Sequence, residues 1–187
     1  MRALLLVVLT LFAVPSVAQD PTLAPDLRAA LSEDLADTTR AQVLVKLCFN
    51  LTRSQPDSAL YYGEQGLALA ERIKDAKSIA DARNNLGWLA VMQGDLKKGE
   101  AELNKALELF TRLGNTAYIS VVRSNLGWLA ERKGDRAGAL KQFQEALKLS
   151  EAVKDTGNTA VLLYNIGTTY NKMEEFARAR DLFQRSL

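Results

Sequence analysis

The chain contains no histidine. That excludes imidazole bases, imidazole metal ligands and a phosphoacceptor histidine from these residues, and with them a large share of enzyme mechanisms. The single cysteine, Cys48, has no partner for an internal disulfide. Its apolar neighbours on a predicted helix mark it as a buried small residue and not a reactive thiol. Proline is scarce, at four residues, and no long glycine or serine run occurs, which leaves little room for disorder. Neither sign of charge dominates. Basic residues number 24 against 22 acidic ones, and pairs such as Lys97-Lys98 and Arg132-Lys133 are interspersed with acids, so no nucleic-acid partner is expected. Gly-rich phosphate loops and nucleophile motifs are missing, and Glu131, Glu145, Glu174 and Glu175 are too dispersed to form an acid–base pair. No enzyme, metal site or cofactor is expected.

The one long apolar run lies at the start. Arg2 precedes Ala3 to Val14, interrupted only by Thr10, after which Pro15 breaks the helix and Ser16-Val17-Ala18 offers small residues to a signal peptidase. Residues 1–18 read as a cleavable secretory signal, cut between Ala18 and Gln19. The run is too short for a comfortable membrane span, and no later stretch reaches about 18 apolar residues. No cysteine follows the cut to carry a lipid anchor. The mature protein is therefore expected outside the cytoplasm, periplasmic or extracellular, and tethered only if a longer chain carries a transmembrane helix. Residues 19–25 form a polar, proline-bearing linker, and a short helix is expected over 26–35.

Beyond the leader, the chain echoes itself. Arg83-Asn84-Asn85-Leu86-Gly87-Trp88-Leu89-Ala90 returns 40 residues on as Arg123-Ser124-Asn125-Leu126-Gly127-Trp128-Leu129-Ala130, and Asn165-Ile166-Gly167 marks a weaker third copy. Apolar residues at helical spacing (Leu86, Leu89, Ala90; Val122, Leu126, Leu129) give a first helix. Gly94-Asp95 and Gly134-Asp135 then supply a left-handed stop and an N-cap. A second apolar stripe follows, Leu103, Ala106, Leu107 and Phe110 in one copy and Ala139, Phe143, Ala146 and Leu147 in the next. Helix, turn, helix, turn is an all-α array of antiparallel hairpins, with no alternating pattern that would suggest a sheet.

These residues resemble the tetratricopeptide repeat family, whose signature joins Leu-Gly in the first helix to Ala-x-x-x-Phe in the second. Leu86-Gly87, Leu126-Gly127 and Ile166-Gly167 match the first part. Ala139 with Phe143 and Ala179 with Phe183 match the second, followed by Ala146 and Ser186. Arg83, Arg123 and Leu163 stand where the family has tryptophan, the closing proline is missing, and the period is 40 in place of about 34. The longer period resembles a variant common in exported bacterial proteins, and the extra residues are expected to lengthen helices near Leu113 to Thr116 and Val153 to Asn158. A degenerate unit over about 38–74 puts Leu47-Cys48 in the Leu-Gly place. Repeats at about 75–114 and 115–154 follow, with a last copy at 155–187 that stops inside its second helix, the whole forming a helical domain over 26–187. The resemblance implies a right-handed superhelical α-solenoid. The recurring Gly87, Gly127 and Gly167 imply that the partner helix passes too close for a side chain, with the small residues Ala139, Ala146 and Ala179 on the other side of that contact.

The resemblance also implies a concave groove lined by first helices, gripping a protein or peptide. The residue before Leu-Gly faces that groove in the family, and here it is Asn85, Asn125 and Asn165. Their amides pair either with a bound peptide backbone or with neighbouring helices. Helical steps add Trp88, Trp128 and Thr168 to the same face, with Asn84, Ser124 and Tyr164 at its edge. The tryptophans serve either as aromatic anchors for a ligand or as inter-repeat packing. The expected function is an exported interaction scaffold, or else the sensory or dimerising front of a membrane-bound signalling protein such as a sensor kinase or helix-turn-helix regulator. The abrupt last copy suggests a fragment whose apolar end face self-associates.

Overall fold

The computed structural model describes residues 35–187, which form eight α-helices and no strand. They are α1 (Asp37–Leu51), α2 (Pro56–Ile73), α3 (Ala76–Gln93), α4 (Leu96–Arg112), α5 (Thr116–Arg132), α6 (Arg136–Ala152), α7 (Thr156–Lys172) and α8 (Phe176–Arg185). The leader, the linker and the expected helix over 26–35 lie outside the described residues, except that Leu35 is not helical. No helix among the described residues is long and apolar enough to cross a membrane.

One turn, used six times, sets the helix lengths. A residue in the left-handed region stands at Lys74, Gly94, Gly114, Gly134, Lys154 and Glu174, a spacing of 20. After each, the next amide reaches back to the helix just ended: Asp75 to Ala70 O at 3.0 Å, Asp95 to Ala90 O at 2.9 Å, Asn115 to Phe110 O at 3.0 Å and Asp155 to Ser150 O at 3.0 Å. This six-residue loop satisfies carbonyls that the helix end would leave open. The same Asp or Asn then caps the next helix, as Asp95 does for Lys98 N at 3.0 Å and Asp135 for Gly138 N at 2.8 Å. From Lys74 onward, turns within and between hairpins are thus alike, and two half-periods of 20 make the 40-residue repeat. The extra residues are expected to lengthen helices near Leu113 to Thr116 and Val153 to Asn158, and the helices do run up to this turn from both sides, ending at Arg112 and Ala152 and starting again at Thr116 and Thr156. Residues 113–115 and 153–155 form the turns, and the added length lies in the helices themselves, such as the two 17-residue helices α5 and α6, about 25 Å each.

Consecutive helices pack against each other, and in addition α1 touches α3, α3 touches α5 and α5 touches α7. No second helix touches another second helix. First helices therefore crowd the inside of a curve and second helices splay along its outside, which makes the first-helix layer concave.

In the last three hairpins the glycine allows close approach, as expected; Ala179 O lies 3.3 Å from a Cβ on Gly167, also as expected, but the nearest atoms belong to larger side chains. A Cβ on Gly127 would lie 2.5 Å from Phe143 Cε1, and one on Gly167 would lie 2.8 Å from Phe183 Cε1. Leu103 takes this place over Gly87. Ala139, Ala146 and Ala179 are buried in the same interfaces, yet it is the large side chain that fills the missing Cβ's space. Where the family carries tryptophan, Arg83 bridges Glu71 of α2 and Glu102 of α4, both at 2.8 Å, and Arg123 holds Gln142 at 3.1 Å and Glu145 at 2.5 Å. A guanidinium with several donors ties three helices where an indole would pack between them. Lys105 and Arg83 hold the Glu102 carboxyl below its usual range although burial pushes it up.

Candidate concave binding face

Adding helical steps along each first helix puts four rows of side chains on the concave face. One row holds Gln42, Asp81, Val121 and Val161; the next Lys46, Asn85, Asn125 and Asn165; the third Phe49, Trp88, Trp128 and Thr168; and the last Met92, Arg132 and Lys172, the first helix having ended at Leu51.

The asparagine row is tied into the array. Asn85 Nδ2 donates to Val45 O of α1 at 3.1 Å, and Asn85 Oδ1 accepts from Asn84 Nδ2 at 3.2 Å. Asn84 Oδ1 accepts from Asn125 Nδ2 of α5 at 2.8 Å, and Asn165 Nδ2 of α7 reaches Ser124 Oγ at 3.5 Å. Of the two roles open to these amides, the hydrogen bonds place them on neighbouring first helices. Asn84, Asn85 and Asn165 are buried as a result.

The tryptophans are half-buried. Trp88 packs on the core shared by α3, α4 and α5, while Trp128 meets Phe143 edge-on, centroids 5.9 Å apart at 77°. Lys172 Nζ lies 5.7 Å above the Trp128 ring and 2.6 Å from Glu131 Oε2. Arg132, one repeat earlier, reaches back in the same sense to Met92 O at 3.0 Å, at the C-terminus of α3, where a cation complements the open carbonyls. Thr168 bonds within its own helix to Tyr164 O at 2.9 Å. Tyr164 leans on Phe183, centroids 5.5 Å apart, and belongs to the C-terminal end face with Phe176 and Leu187. The eight expected groove residues are thus brought together only in part. Asn84, Asn85 and Asn125 form a network, Asn165 reaches Ser124 separately, the tryptophans flank them, and Tyr164 stands apart.

A cleft of about 430 Å³ on this face lies over α1, α3 and α5, with Val45, Phe49, Asp81, Tyr118 and Val121 among its walls. Phe49 is 62% exposed. Asp81 Oδ2 accepts from Lys77 Nζ at 2.8 Å, and the same ammonium lies 4.9 Å over the Tyr118 ring. Asp81 Oδ1 is buried without a hydrogen-bond partner. Burial outweighs Lys77 and pushes the Asp81 carboxyl up, while its bond to Asp81 pushes the Lys77 ammonium up. Sequence reasoning missed Phe49 because the first unit is offset by 39 residues from the next; that offset places Phe49 in register with Trp88. Cys48 stays a core residue, its thiol pushed up to about 12 by burial. Among the described residues no group of three His, Cys, Asp or Glu side chains is placed to hold a metal ion.

The sequence model of the tetratricopeptide repeat family matches residues 78–152 and 133–187, together more than half of the chain. No curated protein sequence matches. Among solved structures, the crystal structure of BtubC (BKLC) from P. vanneervenii is similar in fold. Its TM-score is 0.67 at 21% identity, over 86% of this chain and 67% of that one.

Proposed function

The chain belongs to the tetratricopeptide repeat family, whose repeats build protein-interaction scaffolds, and from that premise we propose that it holds an extended segment of a partner protein along its concave face. The observation that carries this reading is the exposed Phe49 over a cleft spanning three first helices. A large apolar ring with most of its surface in water, set in a concave wall, is the kind of anchor on which binding energy concentrates. Trp88, Trp128 and Thr168 continue the same row, while Asn85, Asn125 and Asn165 supply the floor. The role is binding and not chemistry, in keeping with a repeat fold that is typically a non-catalytic scaffold. Selection from a displayed peptide library followed by Phe49→Ala tests it. At least about a tenfold loss of affinity with an unchanged circular dichroism spectrum is expected. Selected peptides that bind the variant as well as wild type would reject the concave face as the site.

Two further readings belong to the proposal. Arg2, the Ala3 to Val14 run and Ala18-Gln19 support export to the periplasm or beyond; expression in a secreting host followed by mass spectrometry tests it, and secreted protein that still carries Met1 would reject cleavage. The end face supports self-association, since Phe143 is fully buried between repeats whereas Tyr164 and Phe176, exposed at 55% and 63%, remain in water at the last hairpin. A concentration-independent monomer in size-exclusion chromatography would reject that.

A further inference from the structure

We propose that the cleft over α1, α3 and α5 is a guanidinium subsite that receives an arginine side chain of the bound segment, and that Lys77 occupies it in the free protein. The proposal rests on the groove reading above and names the chemistry that one part of the groove recognises.

The cleft already holds a cation between a carboxylate and an aromatic face. Lys77 Nζ sits 2.8 Å from Asp81 Oδ2 and 4.9 Å over the Tyr118 ring. Those two partners are what cation recognition uses. Lys77 fills the arrangement imperfectly, because its ammonium is a point donor that reaches one oxygen, and Asp81 Oδ1 is left buried without a partner. A guanidinium is a planar fork whose parallel N–H groups reach both oxygens of one carboxylate. It also stacks on rings, and Phe49, 62% exposed, stands in the same cleft as Tyr118.

Displacement of the resident lysine is undemanding. Its side chain is half exposed, at 51%, and it leaves Asp81, one helical turn away, for water. The ion pair it gives up is part-buried on its Asp81 side, which is 17% exposed, so the exchange is balanced because the incoming guanidinium restores the positive charge that the lysine takes away. Lys46 is the opposing influence. It is exposed on the cleft wall and forms no hydrogen bond or ion pair, so it disfavours an isolated cation. An arginine therefore binds here as one side chain of a longer segment anchored elsewhere along the groove, and free arginine binds weakly.

Decapeptide pools carrying arginine, citrulline, lysine or glutamate at a fixed central position and randomised elsewhere test the assignment by equilibrium binding to the full chain. Citrulline keeps the shape of arginine and removes its charge. Wild type is expected to prefer the arginine pool over the citrulline pool by roughly tenfold. Asp81→Asn abolishes that preference, and Lys77→Ala increases binding of the arginine pool severalfold without changing the citrulline pool. Thermal melts of both variants confirm that each is folded. Equal binding of the arginine and citrulline pools, a preference that survives in Asp81→Asn, or an arginine pool that weakens in Lys77→Ala overturns the subsite while the groove stands. A lysine pool matching the arginine pool rejects the guanidinium. No binding of any pool to wild type overturns the groove reading and the subsite with it.

Discussion

Two glycine-to-alanine substitutions in this chain should shift stability in opposite directions. At Gly127 an added Cβ would lie 2.5, 2.6 and 2.9 Å from three ring atoms of Phe143, where carbon atoms prefer about 3.5–4.0 Å. The ring cannot yield cheaply. Phe143 is fully buried, meets Trp128 on one side and is packed among Ala139, Ala146, Leu162 and Ile166. Overpacking of this kind costs about 1–3 kcal/mol, against which the better helix propensity of alanine returns about 1 kcal/mol. The net is a loss of up to about 2 kcal/mol for alanine and more for leucine, which adds three further carbons to the same space. At Gly157, in the first turn of α7, the nearest atom to an added Cβ is Asp155 Oδ1 at 3.7 Å, an ordinary contact. There only the propensity and chain-entropy terms operate, and alanine should stabilise by about 0.4–1 kcal/mol. Urea titrations followed by far-ultraviolet circular dichroism measure both, with thermal midpoints moving about 2–4 °C per kcal/mol for a domain of this size. A Gly127→Ala variant stabilised as much as Gly157→Ala would refute the claim that the phenyl ring is why glycine recurs there.

Three other outcomes follow from the same contacts. Asn125→Ala removes the donor that reaches Asn84 Oδ1 at 2.8 Å; a buried acceptor left unpaired should cost about 1–3 kcal/mol in a denaturant titration, and no loss would mean that the amide network is dispensable. Cys48, fully buried with its thiol pushed up to about 12, should react with an aromatic disulfide reagent only as fast as the native state opens; rapid labelling in native buffer would contradict the packing of α1 on α2. The Asp75 carboxyl is lowered chiefly by its bond from Ser78 Oγ at 2.6 Å. A lowered folded-state value gives stability that is complete above the ordinary carboxylate range and lost as pH falls through the folded value. The advantage of wild type over Asp75→Asn should therefore shrink on acidification below about pH 4, and an advantage independent of pH would leave the cap's charge without a role.

The sequence carried the repeat well because its landmarks are chemical necessities. Leu86-Gly87 and Leu126-Gly127 sit at the closest helix approach, and Asp95 and Asp135 cap helices, so each had a signature that could be read without coordinates. The 20-residue half-period was harder to see. Three of its six left-handed positions are Lys74, Lys154 and Glu174, ordinary residues that sit there because the backbone bonds of the turn hold them. Left-handed lysine costs a little strain and leaves no compositional trace. That a larger side chain stands nearest each glycine, with Ala179 beside Gly167 only second to Phe183, was hidden for a different reason. Ala139 and Phe143 lie one helical turn apart on one stripe, and spacing alone does not say which of them reaches over Gly127. Phe49 escaped notice because its unit lacks the Leu-Gly mark and is one residue out of step.

The division of labour along the concave face follows from which rows repeat. Asparagine recurs at Asn85, Asn125 and Asn165 because its amide has to meet a partner on the preceding first helix, Val45 O, Asn84 or Ser124, at every junction. A bound segment that took over the amide hydrogens spent in those bonds would lose in the scaffold what it gained in contact. Affinity must then come from the rows on either side. The neighbouring row is Gln42, Asp81, Val121 and Val161, no two consecutive members alike until the last pair, and the other runs from exposed Phe49 through two half-buried tryptophans to Thr168. Stacking imposes sameness, since each copy faces the same neighbour; a partner imposes nothing of the kind, since each copy meets a different part of it. On the proposal that the concave face holds a partner, what it selects is carried by the positions at which the repeats disagree, and Asp81, the lone carboxylate of its row, is the most distinctive of them.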